Sequence, residues 1–141
     1  MKKKKPKNYP TPEELDALSQ EKMMVFAEAG IPYGTFNKMS VEIPFSVGDW
    51  ANFLHLSERT MHRYKINKLK FDPLHSERIL ELVLLCRKGE KVFGNEENYF
   101  TWLNSKNISL GGKSPKVLLG SSVGIGLVKD ELARIEHGIL A

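Results

Sequence analysis

Phe100-Thr-Trp-Leu-Asn-Ser-Lys-Asn-Ile-Ser-Leu-Gly-Gly-Lys-Ser-Pro-Lys-Val-Leu-Leu119, running on to Arg134-Ile-Glu-His-Gly-Ile-Leu-Ala141, decides the reading of this 141-residue chain. It opens on the end of an aromatic-rich helix, which Asn95 caps and in which Tyr99, Trp102 and Leu103 share an apolar face. Asn104–Lys113 is rich in Asn, Ser and Gly and reads as a loop. Pro115 then starts a short helical segment carrying Val117, Leu118 and Leu119. A final amphipathic helix over about Val123–His137 is expected to bury Leu127, Val128, Leu132 and Ile135. Gly138 can take the left-handed conformation that ends it, and Ile139, Leu140 and Ala141 follow.

Toward the N-terminus, Ile79-Leu80-x-Leu82-Val83-Leu84-Leu85 is apolar around most of a helix circumference, so it must sit at the centre of something. That surplus predicts a homodimer with this run at the interface. Asp72-Pro73 starts the helix and Gly89 lies near its expected end. Upstream, Ser46 caps a helix to about Leu54 whose Trp50, Phe53 and Leu54 face inward. After His55-Leu56, Ser57 caps a second, Glu58–Lys65. Two short helices joined by a brief turn form a candidate helix-turn-helix, although the usual turn glycine is missing. A further helical piece is expected at Tyr33–Met39. Thr11-Pro12-Glu13-Glu14 is a capping-box start for one helix with Leu15, Leu18, Val25, Phe26 and Ala29 on its stripe, ended by Gly30 and Pro32. With no convincing strand, the chain reads as all-α. The expected division is a basic arm (1–10), a helical region with the helix-turn-helix (11–93) and a small C-terminal domain (94–141).

The formal net charge of +4 conceals a pattern. Lys2, Lys3, Lys4, Lys5 and Lys7 leave the remainder slightly negative. Residues 8–45 are acidic, whereas 46–70 carry Arg59, Arg63, Lys65, Lys68 and Lys70 against Asp49 and Glu58. Cations concentrated in an arm and one interior stretch fit a nucleic-acid contact better than general stickiness. The arm itself reads first as solvated disorder, with a DNA-contacting arm as the alternative. No apolar run reaches membrane-span length, and the Lys-rich start lacks the apolar segment of a secretory signal. One cysteine, Cys86, excludes an internal disulfide framework; it fits a reducing cytoplasm and reads as a packed thiol.

Catalytic and ligand motifs are weak. Gly112-Lys113-Ser114 matches the end of a phosphate-binding loop, but Asn107 stands where the first Gly is required and no strand precedes it. Gly124-Ile-Gly126 begins a dinucleotide fingerprint, yet Lys129 replaces the third Gly. His55, His62, His75 and His137 show no metal-ligand spacing. Glu13-Glu14 and Glu96-Glu97 sit at helix starts, where carboxylates favour the macrodipole. No enzyme, metal or cofactor is expected.

On the helix after Ser57, Arg59, His62, Arg63 and Lys65 are polar and long enough to reach a groove while Met61 and Tyr64 pack inward. In a helix-turn-helix this second helix meets base edges, and nearby cations grip phosphates; a solvated basic face is the plain alternative. Ser57, Arg59, Thr60, His62, Arg63 and Lys65 are the candidate DNA-binding residues.

Phe100-x-Trp102-Leu103, Leu110-Gly111-Gly112-x-x-Pro115, Leu118-Leu119, Gly124-x-x-x-Val128 and Leu132-x-Arg134-Ile135-Glu136-His137-Gly138 together resemble the toxin-binding domain of Xre/MbcA/ParS-type antitoxins. Leu56-Ser57-x-Arg59-Thr60-x-x-Arg63 is similar to the helix-turn-helix of the same family. The resemblance spans roughly Gly30–Ala141. It implies a cytoplasmic, non-enzymatic antitoxin of a type II module, acting on an NAD-targeting, ADP-ribosyltransferase-like RES-domain toxin and repressing its own operon. Arg134, Glu136, His137, Gly138, Ile139, Leu140 and Ala141 would then enter the toxin's cleft, with operator DNA as a second partner. A stand-alone regulator whose C-terminal domain dimerises, and a ligand-responsive DNA-binding protein, remain open on the sequence.

Overall fold

The computed structural model describes residues 9–138, and among these every regular element is helical. In chain order they are α1 (Pro12–Leu15), α2 (Gln20–Ala29), α3 (Tyr33–Ser40), α4 (Val47–Leu54), α5 (Glu58–Ile66), α6 (Pro73–Phe93), α7 (Glu96–Leu103), the 3-10 turns η1 (Ile108–Leu110) and η2 (Pro115–Leu118), and α8 (Ser122–Glu136). The chain divides into two compact units within α6, between Val83 and Leu84. α6 does not stop near Gly89, as the sequence suggested, but runs through it to Phe93.

In the first unit the helices begin where side chains satisfy orphan backbone donors. Thr11 with Glu14 and Ser46 with Asp49 form capping boxes, and Ser57 Oγ accepts from the Thr60 amide. The single first helix expected from the sequence is instead two. Ser19 Oγ accepts from the Lys22 amide and restarts the chain as α2, so Leu18 falls between helices. The expected stripe is lost as well, since Val25 is 59% exposed while Ala27 is buried.

The α2–α3 junction is clamped to the α5–α6 junction. Phe71 N–H donates to Ile31 C=O at 2.8 Å and Tyr33 N–H to Leu69 C=O at 3.0 Å. The wholly buried Ser76 hydroxyl accepts from Ile31 N–H at 2.9 Å and donates to Phe71 C=O at 3.2 Å. Each buried polar group thus has a partner, which removes the desolvation cost of an unpaired one. Around the clamp lies an aromatic core. Phe36 meets Trp50 and Phe71 edge-on, with centroids at 5.0 and 5.3 Å, and Phe45 meets Phe53 at 5.0 Å, the edge-to-face geometry ring quadrupoles favour.

The second unit starts in the C-terminal half of α6. Tyr99 on α7 is wholly buried, and Gly89 makes this possible: a Cβ at residue 89 would fall inside the Tyr99 ring. Phe93 and Trp102 rings pack at 5.4 Å beside it. The connection from α7 is not plain loop. Asn107 pairs with Lys113 as an isolated bridge enclosing η1, and Gly111 and Gly112 turn the chain at φ +74° and +81°, values only glycine adopts without strain. A second close approach follows, where a Cβ at Gly124 of α8 would collide with the Leu118 carbonyl of η2. Gly126, two residues on, has open space around it.

That second contact sets the rotation of α8 and overturns one expectation. Gly124, Ile125, Val128, Glu131 and Leu132 face inward, whereas Leu127 is 45% exposed. Position 127 lies about 60° from 124 on a 3.6-residue helix, on the side away from 128. The premise of the dimer reading changes too. Ile79, Leu80, Leu82, Val83 and Leu85 are buried within the single chain, so of the run's apolar residues only Leu84 is left half-buried.

The two glycines of opposite surroundings give a paired test. Gly89→Ala should lower the unfolding free energy by about 1–3 kcal/mol, the usual cost of overpacking. Gly126→Ala should raise it by up to about 1 kcal/mol, because alanine is the better helix former in open space. Urea melts with an unchanged m-value would read both.

Candidate functional site

In the second unit the C-terminal turn of α8 stands in solvent. Arg134, Glu136, His137 and Gly138 are exposed and Ile135 is half-buried. His137 N–H bonds the Ala133 and Ile135 carbonyls as the helix ends, and Gly138 takes φ +70°. This is the left-handed exit expected from the sequence. Ile139, Leu140 and Ala141, assigned with them to a toxin cleft, lie outside the described residues.

The two charged members of this turn are tied back to the unit. Glu136 Oε1 lies 2.9 Å from Lys88 Nζ on α6, with both side chains half-exposed. The ammonium hydrogen bond holds the Glu136 carboxyl below the ordinary carboxylate range. Arg134 Nη2 and Nε contact one oxygen of Glu131, at 2.7 and 3.1 Å. Glu131, only 3% exposed, is a functional candidate that sequence reading passed over. Its spacing of seven from Gly124 and three from Val128, on the buried arc, was the available signal. It holds the Arg134 guanidinium at the helix surface. Val123 and Leu127, one turn apart and 76% and 45% exposed, continue the solvent face toward the helix start.

In the first unit α4 and α5 are joined by His55-Leu56-Ser57, and His55 adopts φ +58° where the expected glycine is absent. Histidine is among the residues enriched at such angles. The arrangement is compatible with a helix-turn-helix. On α5, Arg59, His62, Arg63 and Lys65 are exposed, Met61 is buried and Tyr64 packs on Phe71 at 5.1 Å. Arg63 lies 5.4 Å from the Tyr64 ring centroid, a cation–π distance that steadies its stem. Ser57 and Thr60 are occupied in the cap: their hydroxyls are 2.9 Å apart and Ser57 Oγ holds the Thr60 amide. They orient the helix start more than they extend from it. Exposed Ile66 and Lys68 at the end of α5 were not among the residues picked from the sequence.

Cys86 is buried and accepts a long hydrogen bond from the Tyr99 hydroxyl at 3.7 Å. Burial pushes the thiol up to about 12 despite that bond, the opposite of what a nucleophile requires. Among the described residues no group of His, Cys, Asp and Glu is placed to hold a metal ion, and no helix is long and apolar enough to cross a membrane.

What these features define is a small all-helical protein with a basic helical face in one unit and a solvent-facing helix end in the other. Residues 88–138 match the family described as the antitoxin Xre/MbcA/ParS C-terminal toxin-binding domain. The chain is similar to an Antitoxin Xre of Yersinia enterocolitica serotype O:8 / biotype 1B, 28% identical over 135 residues, covering 83% of this chain and 90% of that relative. The C-terminal unit thus resembles the toxin-binding domain of antitoxins of the Xre/MbcA/ParS type. The match begins at Lys88 on α6, so only the last six residues of that helix fall within the matched region.

The buried Cys86–Tyr99 pair predicts a pH response. Both groups keep their protons to higher pH in the folded chain than in the unfolded one. Their contribution to stability is therefore complete below the ordinary thiol value of 9.0 and is lost as pH climbs toward about 12. Urea midpoints should fall between pH 9 and 11, and less so in Cys86→Ala measured against its own neutral-pH value. An equal fall in both proteins would assign the effect to other groups.

Proposed function

We propose that this chain is an antitoxin that binds a RES-domain toxin through its C-terminal unit and occludes the toxin's active-site cleft with the segment Arg134–Ala141. The observation that carries the reading is the exposed end of α8 within a domain of a toxin-binding family. The helix finishes its inward stripe at Leu132 and the half-buried Ile135, and the left-handed Gly138 redirects the chain away from the helix axis. Glu136 sits in a solvent-exposed pair with Lys88 that exchanges partners cheaply, whereas Arg134 is held at the surface by the nearly buried Glu131. Ile139 and Leu140 supply apolar anchors, each worth about 1.5–3 kcal/mol on full burial. The RES class of the toxin, its NAD chemistry and the type II, autoregulated arrangement rest on the resemblance, in its C-terminal and helix-turn-helix motifs alike.

The same reading assigns operator binding, and through it repression of the operon, to α5. Arg59, His62 and Arg63 lie on one exposed stripe of that helix, with Lys65 beside them. The clamp through Ile31, Phe71 and Ser76 holds the neighbouring elements rigidly enough to present it. A repressor of this kind works as a pair on two half-sites.

Two truncation and substitution experiments separate the roles. A chain ending at Ala133 should fold, bind DNA and fail to protect cells from the co-expressed product of the adjacent toxin gene. Full protection at matched expression would place neutralisation outside the C-terminal segment.

Arg59→Ala with Arg63→Ala should weaken operator binding at least tenfold in a fixed-salt titration, since a specific base contact is worth roughly 1–3 kcal/mol. Protection from the toxin should be unchanged. Unaltered DNA affinity would remove α5 from the interface.

A further inference from the structure

Between α6 and α8 the second unit carries a groove of ≈ 320 Å³ lined by Leu84, Leu85, Lys88, Lys129 and Leu132. Its wall is almost entirely apolar, with the two lysines as the polar exceptions. Leu85 and Leu132 are each 1% exposed and Leu84 is half-buried, whereas Lys88 and Lys129 are exposed. The apolar surface is thus recessed behind two long cationic side chains, whose methylene stems extend it and whose ammonium groups stay in water.

The groove is poorly built for a small ligand. Its volume is at the bottom of the usual range of roughly 300–1,000 Å³, and it lacks the several convergent polar groups that fix a small molecule's orientation. It is well built for an anchor side chain from a partner protein. Interfaces take most of their binding energy from a few large residues seated in desolvated pockets, ringed by polar contacts that exclude water. The rim also shows which charge it accepts: Lys88 already holds a carboxylate, Glu136, at 2.9 Å. A carboxylate brought by a partner can replace it, because the existing pair is solvent-exposed and weak.

We propose that this groove is an anchoring site for the toxin, receiving one large apolar side chain flanked by a carboxylate that takes over Lys88 or pairs with Lys129. The inference rests on the reading that the second unit binds a toxin, and adds where on it the toxin is held and by what chemistry. Charge complementarity selects the partner segment, since the cationic rim favours an acidic, apolar strand or helix and repels a basic one. The site also joins docking to occlusion. Glu136 lies in the last turn of α8, so a toxin carboxylate that captures Lys88 releases the tie holding that turn against α6. The C-terminal segment is then free to enter the cleft.

The test measures affinity of the full chain for the purified product of the adjacent toxin gene, made catalytically inactive. Lys88→Glu with Lys129→Glu should weaken binding at least tenfold. Leu84→Trp, which fills the groove from its half-buried edge, should do the same with the charges intact. Melting curves identify any variant that fails to fold. Should the double reversal do so, Lys129→Ala stands in for it, and its binding should be weaker and less salt-dependent than the parent's. Parent-like affinity in the folded charge and filling variants, with the parent binding normally, overturns the groove and leaves the toxin-binding reading standing. Variants that alter self-association by light scattering without altering toxin affinity assign the groove to a second copy and equally overturn it. A parent chain that does not bind the toxin at all defeats the broader reading, and the groove with it.

Discussion

Tyr99 can be wholly buried only because residue 89 has no side chain. With the α6 backbone in direct contact with the phenol ring, α7 lies against the C-terminal half of α6, and the ring's hydroxyl reaches the Cys86 sulfur. Every later element of the second unit is placed from that contact. Asn104–Lys113 reverses the chain through Gly111 and Gly112, η2 follows, and Gly124 seats α8 on the Leu118 carbonyl. Two glycine close approaches therefore fix where α8 lies and how it is rotated. Interiors packed at crystal-like density transmit such constraints instead of absorbing them.

The functional surfaces are what that rotation leaves outside. With Ile125, Val128 and Leu132 turned inward, Val123, Leu127 and Arg134 face solvent along one side of α8, while Lys129 and Glu136 lie toward α6. The ion pair from Glu136 to Lys88 and that from Arg134 to Glu131 differ in kind. Glu131 is nearly buried, so leaving it unpaired would cost the desolvation of a carboxylate. Glu136 is half-exposed and gives up its partner cheaply. The end of α8 thus combines a fixed cation with an exchangeable anion, which is what the proposed entry of this segment into a toxin's cleft requires.

The first unit solves a different problem. It must hold a short, highly charged helix in one orientation, and α5 buries little beyond Met61 and part of Tyr64. The Ser57–Thr60 cap, the left-handed His55 and the stacking of Tyr64 on Phe71 hold it locally. Phe71 is in turn fixed by the backbone and Ser76 hydrogen bonds to Ile31. On the operator-binding proposal, a basic face held in this way spends little ordering entropy when it meets a phosphate backbone.

The caps were legible in the residues themselves, at Thr11, Ser46, Ser57 and Asn95, because a side chain reaching three residues along its own backbone depends on nothing distant. So were the all-helical class, the exposed basic face of α5 and the left-handed Gly138. The restart at Ser19 was equally local and was missed because a longer apolar stripe seemed to run across it. Other features were beyond the sequence for a physical reason: they depend on atoms far away along the chain. Nothing near Gly89 tells a helix-ending glycine from one emptied to admit Tyr99, and Gly124 and Gly126 read alike until Leu118 lies against one of them. Leu127 looked like core because periodicity gives the spacing of a stripe but leaves the rotation of the helix undetermined. Local hydrogen bonding determined where these helices begin. Close contact between backbones that meet only in the folded chain decided which of their faces look outward, and with them the surfaces available for binding.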